Sequence, residues 1–139
     1  MTDVPVLSAL LAELFAIEQD FSADAEKQQR GLKLLLASSQ AQVFVAEHSG
    51  TVVGMVCLQK RISTAAGGEV AVLEDLVVTA AQRGQGIGRA LLQQAQQWAT
   101  TEGLLGLQLL ADKENYPALL FYQQAGWETT HLLALRYKS

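Results

Sequence analysis

One cysteine, Cys57, is all that the chain carries in 139 residues. A lone thiol excludes an internal disulfide framework and fits a reducing cytosol, so a cytoplasmic location is expected. Long apolar runs are missing as well. None approaches the roughly 20 residues that span a bilayer, and no basic region followed by an apolar stretch opens the chain, so neither a membrane partner nor a signal peptide is expected. Basic residues are few: ten Lys and Arg stand against fourteen Asp and Glu, a net charge of −4. That balance leaves no footprint for nucleic acid. The acid excess reads first as an ordinary soluble surface and only mildly as a preference for cationic substrates. His48 and His131 lie too far apart for metal-ligand spacing, so no metal is expected. Repeats, linkers and low-complexity tracts are absent. What remains is the length of one ordinary domain, residues 1–139, half of it apolar and able to build a substantial core.

Periodicity gives an α/β succession. Leu7, Leu10, Leu11 and Leu14 recur at helical spacing, so Val6 to Gln19 reads as an amphipathic helix. Ser22 or Asp24 can cap a second helix that ends near Ser38. Gln42 to Glu47 and Thr51 to Arg61 read as a hairpin around Ser49-Gly50, and Val70 to Thr79 as a further strand. A helix follows from Ile87 to Thr101, with Gly103 as its C-terminal stop. Leu104 to Leu110 reads as a short parallel strand. Asn115 starts a last helix, with Pro117 in its first turn and Gly126 at its end. Thr129 to Tyr137 reads as a final strand.

The stretch between the third strand and its helix carries the chemistry: Arg83-Gly84-Gln85-Gly86-Ile87-Gly88. The first-turn N–H groups of a helix lack internal partners, and the positive end of its dipole sits there. Glycines remove the Cβ atoms that would keep a diphosphate away from those amides. A P-loop would end Gly-Lys-Ser/Thr, but this loop ends Gly88-Arg89-Ala90. A dinucleotide fingerprint would need a third glycine one place later and an acidic residue closing the next strand, and Leu104 to Leu110 offers none before Asp112.

A third pattern, Arg/Gln-x-x-Gly-x-Gly/Ala, is matched in full by Arg83, Gly86 and Gly88. A second signature follows in Asn115-Tyr116-Pro117-Ala118-Leu119-Leu120-Phe121-Tyr122-Gln123-Gln124-Ala125-Gly126-Trp127, with Trp127 where Phe is usual. On these two motifs, in this order and separation, the chain resembles the GNAT superfamily of N-acetyltransferases. The tract Leu73-Glu74-Asp75-Leu76-Val77-Val78 before the loop is similar to the diamine and polyamine acetyltransferases.

The resemblance implies a mixed central sheet flanked by helices, an α/β fold. The family's first strand is expected to be short or missing, because only about five residues precede the first helix and Pro5 suits a central strand poorly. It also implies acetyl-CoA as co-substrate, a small-molecule amine as acceptor, and homodimers as a common assembly. Carried over, the main-chain amides of Arg83, Gly84, Gln85, Gly86, Ile87, Gly88 and Arg89 hold the diphosphate, while the Arg89 side chain either adds charge there or is simply solvated. The edge of Leu76, Val77 and Val78 runs beside the pantetheine arm. An N–H from it can stabilise the developing oxyanion. Asn115 and Phe121 match positions that contact the lower arm; Asn115 can also be a pure N-cap, and Phe121 core.

Amine acetylation needs a base, because an ammonium of pKa near 10 must lose a proton. Tyr122 stands where the family places the acid that protonates the leaving thiolate. Glu74 is the expected base and Asp75 the alternative; strand alternation sends the two to opposite faces, so only one should enter the cleft. Cys57 reads as a buried structural thiol rather than a nucleophile. Two rival functions stay open: acetylation of a protein N-terminus or lysine, and a non-catalytic module that binds acetyl-CoA and regulates a partner.

Overall fold

Residues 3–17 and 24–139 are described by the structure, a computed structural model. The chain divides into two compact units, Met1–Leu109 and Leu110–Ser139. The first holds the sheet. Helix α1 (Val4–Ile17) begins two residues earlier than periodicity suggests, with Pro5 accepted in its first turn; Glu18 and Gln19 lie outside the described residues. Val4, Leu7, Leu10 and Leu11 form its buried stripe. Each such fully buried leucine contributes roughly 1.5–3 kcal/mol relative to exposure. Helix α2 (Ala25–Ala37) is capped by Asp24, whose side chain accepts the Lys27 N–H at 3.2 Å; Ser22 lies outside the described residues. Gln28 returns the favour to the cap, its Oε1 accepting the Asp24 N–H at 2.7 Å. The same amide reaches across to α1, donating to Ser8 O at 2.7 Å and to Ser8 Oγ at 3.2 Å. This buried polar contact joins the two helices.

The sheet runs in the order β1 (Ala41–His48), β2 (Thr51–Ser63), β3 (Gly68–Val78), β4 (Leu107–Leu109). The first three strands are antiparallel neighbours and β4 is parallel to β3. Among the described residues no strand precedes α1. Side chains alternate across β2. Met55 and Cys57 join the α1 and α2 leucines in one core cluster. Gly54 faces helix α3 (Ile87–Thr101), and a Cβ there would lie 3.1 Å from Leu91 Cδ1. Helices therefore cover both faces. α3 ends in a Schellman motif: Leu104 N–H bonds Ala99 O at 2.9 Å, Gly103 N–H bonds Thr100 O at 3.1 Å, and Gly103 supplies the required positive φ of 71°.

Strand β4 is shorter than the expected Leu104 to Leu110. Leu104 is consumed by the helix cap, and regular pairing covers only Ala71–Leu73 against Leu107–Leu109. In the second unit, helix α4 (Tyr116–Gln124) has Asn115 as its N-cap. The expected strand from Thr129 to Tyr137 is not formed. A strand exists through its ladder, and no partner among the described residues pairs with this segment; its β-prone residues are exposed, Leu135 95% and Tyr137 93%. Among the described residues, no helix is long and apolar enough to cross a membrane.

Candidate active site

Strand β3 leads into a single 3₁₀ turn, Ala80–Gln82, and then into the glycine loop. Gly84 and Gly86 both adopt left-handed backbone, φ 79° and 82°, and Gly86 is the N-cap of α3 without a side chain to satisfy the helix's first amides. A Cβ at either glycine would meet no atom within 4 Å, so the loop opens outward. Arg83 N–H already donates to Ala80 O at 3.4 Å, which narrows the expected amide set by one. From Gly84 to Arg89, no main-chain N–H has a hydrogen-bond acceptor among the described residues. Six adjacent free amides at the positive end of a 15-residue helix fit an anion with several oxygens, which a diphosphate is. Arg89 is exposed on the first turn.

The loop is held from behind by groups that carry no sequence signature. Glu13, on α1, accepts Thr79 Oγ1 at 2.8 Å and the Ala80 N–H at 3.0 Å, and lies 3.7 Å from the Arg83 guanidinium. Arg83 Nε turns back to donate to Val78 O at 2.9 Å. The Arg83 side chain thus braces the loop against β3. Gln82 Oε1 is buried with no hydrogen-bond partner among the described residues.

β3 is irregular where its chemistry begins. Cys57 pairs with Glu74 and Met55 with Val77, so Asp75 and Leu76 oppose the single residue Val56. This is a β-bulge, and Asp75 takes a left-handed φ of 57° within it. A non-glycine residue held there stores roughly 1–2 kcal/mol of strain. The bulge overturns the expected alternation. Glu74 and Asp75 do not divide between opposite faces; both line one cavity of about 360 Å³. Beyond Leu73, no strand among the described residues pairs with β3 on the side where β4 lies. Leu76 and Val78 are half-buried and Val77 is core.

The cavity lies between the sheet and the two N-terminal helices. Cys57, Gln59, Glu74 and Asp75 form its sheet side; Leu11 and Phe15 of α1, with Leu32 and Leu35 of α2, form its apolar side. The Cys57 thiol is 1% exposed. Burial pushes its pKa far above the ordinary thiol range, and the neighbouring Asp75 and Glu74 carboxylates push it further, with Asp75 also hydrogen-bonded to it. It stays a neutral S–H, which removes it as a nucleophile. The described residues contain no cluster of three metal-ligating side chains.

The remaining expected residues sit together on α4. Asn115 Oδ1 accepts the Ala118 N–H at 3.3 Å, so the capping role is in place. Phe121 meets Tyr122 edge-on with ring centroids 5.2 Å apart, and Tyr122 meets Trp127 at 5.7 Å. Trp127 N–H closes the helix end on Tyr122 O at 3.0 Å. The aromatic substituted for the usual Phe is thus a packing partner of Tyr122.

Comparison with known proteins converges on one family. The profile of the acetyltransferase (GNAT) family matches residues 8–127. An uncharacterized N-acetyltransferase of Bacillus subtilis is 28% identical over 87% of this chain and 83% of its own. The aminoalkylphosphonate N-acetyltransferase of Salmonella typhimurium is 28% identical over 93% of this chain and 81% of its own. Among solved structures, an aminoglycoside N-acetyltransferase in complex with CoA superposes with a TM-score of 0.82 at 20% identity, covering 99% of this chain and 89% of that one.

Proposed function

We infer that this chain, which belongs to the acetyltransferase (GNAT) family and is an N-acetyltransferase using acetyl-CoA, transfers the acetyl group directly to the primary amine of a small molecule. The observation that carries the reading is the cavity of about 360 Å³, which brings two carboxylates and an apolar wall to the bulged end of β3. The cavity is flanked by two helices, and its size suits a small acceptor better than an extended peptide. One relative of similar length acts, by its name, on aminoalkylphosphonates.

The coenzyme supplies an acetyl group activated as a thioester. The amides of Gly84 to Arg89 receive its diphosphate. The edge of Leu76, Val77 and Val78 lies along the pantetheine arm, and Asn115 and Phe121 contact the arm lower down. Glu74 takes the proton from the incoming ammonium, directly or through water, leaving a neutral nucleophile. A main-chain N–H of the β3 edge donates to the carbonyl oxygen as charge develops on it. Tyr122 gives its proton to the departing sulfur. A tyrosine phenol, with an ordinary pKa of about 10, carries the proton that this role needs. No covalent enzyme species is needed, and the neutral Cys57 takes no part.

The test is release of the free CoA thiol with a panel of amines, amino acids and peptides. Turnover of small amines is the expected result. Turnover of peptides alone would assign a protein acceptor, and tight acetyl-CoA binding with no turnover a regulatory module. Tyr122→Phe should lower kcat about a hundredfold while the acetyl-CoA Kd changes little; equal loss of both would remove the acid role.

A further inference from the structure

The short turn before the glycine loop is capped from outside its own segment. Thr79 stands at its N-cap position, where a threonine hydroxyl ordinarily accepts one of the first N–H groups. It makes no such bond. The hydroxyl instead donates to Glu13 Oε2 at 2.8 Å, and Glu13 Oε1 accepts the Ala80 N–H at 3.0 Å. A carboxylate on α1, 66 residues away in sequence, thus does the capping that the local side chain leaves undone. Its two oxygens hold two adjacent residues, so it fixes the direction of the chain as well as its place.

The same carboxylate reaches the far end of the turn, 3.7 Å from Arg83 Nη2. Between these contacts the turn is closed by Gln82 N–H on Thr79 O at 2.9 Å and by Arg83 N–H on Ala80 O at 3.4 Å. Thr79 N–H is tied to Val53 O on β2 at 2.8 Å. The stretch that delivers the chain to Gly84 is therefore held at its start, at its end and against the sheet. A single 3₁₀ turn has poor hydrogen-bond geometry and little stability of its own, so these outside contacts set its course. A carboxylate beside an anion seat repels the anion. What Glu13 contributes there is direction, with the Arg83 guanidinium offsetting its charge.

We propose that Glu13 is a positioning residue for the coenzyme: by capping the Ala80–Gln82 turn from α1, it aims the amides of Gly84 to Arg89 at the diphosphate. This rests on the acetyltransferase reading and adds to it a residue outside both signature motifs.

Calorimetry with acetyl-CoA on the parent chain tests the underlying reading; absence of binding sinks that reading and the proposal together. With binding present, Kd and Tm are measured for Glu13→Ala, Glu13→Gln, Thr79→Val and Glu102→Ala. Glu13→Ala removes both contacts and should raise Kd about three- to fivefold. Glu13→Gln keeps the shape. Its Oε1 can accept the Ala80 N–H and its Nε2 can donate to Thr79 Oγ1, since a hydroxyl also accepts, so Kd should stay within about twofold of the parent. Thr79→Val removes one contact and should give a smaller rise than Glu13→Ala; it carries the test if Glu13→Ala does not fold. Glu102→Ala breaks an ion pair with Lys60 at the opposite end of α3 and should leave Kd at the parent value whatever it does to Tm. A merely structural role for Glu13 would move Tm alone. Kd unmoved in Glu13→Ala and Thr79→Val, raised as much by Glu13→Gln as by Glu13→Ala, or raised equally by Glu102→Ala, would overturn the positioning role and leave the acetyltransferase reading standing.

Discussion

The glycine loop and the acceptor cavity both hang on strand β3, yet they are made from different parts of the chain. The loop offers main-chain N–H groups from consecutive residues, Gly84 to Arg89, and its geometry depends on two left-handed glycines. The cavity is made of side chains from α1, α2, β2 and β3, distant in sequence and gathered by the fold. The coenzyme seat should therefore tolerate changes of side chain and suffer from changes of backbone. The acceptor seat should behave the other way round.

The largest departure is expected on the cavity side. Glu74→Gln keeps shape and removes the base, so turnover should fall by about a hundredfold or more, while calorimetry finds acetyl-CoA binding nearly unchanged. Loss of binding in step with turnover would erase the distinction between the two seats. The loop side comes next. Gly86→Val forces a β-branched residue to a φ of 82° and puts carbon where the diphosphate approaches. The strain is roughly 1–2 kcal/mol; a loop that relaxes it must be forced back to bind the diphosphate, so the acetyl-CoA Kd should rise by about tenfold or more. Gln85→Ala, which keeps the amide, should leave that Kd almost unmoved. A large effect of Gln85→Ala would show that side chains matter at this seat after all.

Two smaller effects sharpen the picture. Glu13→Ala removes the brace on Thr79 and Ala80 without touching any free amide, and should weaken acetyl-CoA binding a few-fold, readable by calorimetry at fixed salt. The smallest effect concerns Cys57. Its thiol holds its proton in the folded state far above the value of an unfolded cysteine, which is near 8.5. The stability this provides is complete below the unfolded value and is lost as pH rises beyond it. Between about pH 8 and 10, Tm of the parent should fall more steeply than that of Cys57→Ala; parallel curves would count against a protected thiol.

Much of this was legible in the sequence where local rules operate. The bounds of α3 follow from Gly86 and Gly103, and the observed helix, Ile87–Thr101, has the expected ends. The hairpin of β1 and β2 and the capping roles of Asp24 and Asn115 were equally visible. The rest needed tertiary register. The bulge at Asp75 exists only against Val56 on β2, so alternation along β3 by itself put Glu74 and Asp75 on opposite faces. Glu13 looks like any polar residue of an amphipathic helix until Thr79 is placed beside it. The segment from Thr129 to Tyr137 has strand-forming residues, but propensity does not provide a neighbour to pair with.

Helix α1 presents Leu11 and Phe15 to the cavity and, between them in sequence, Glu13 to the turn that feeds the glycine loop. One helix thus touches both of the proposed substrate seats. If amine binding shifts α1, the contact of Glu13 with Thr79 and Ala80 carries the shift to the proposed diphosphate cradle, and linkage then requires the coenzyme to alter the amine's affinity by the same factor. Synergy between the two substrates can arise in this way from fourteen residues of helix, without a hinge or a moving lid.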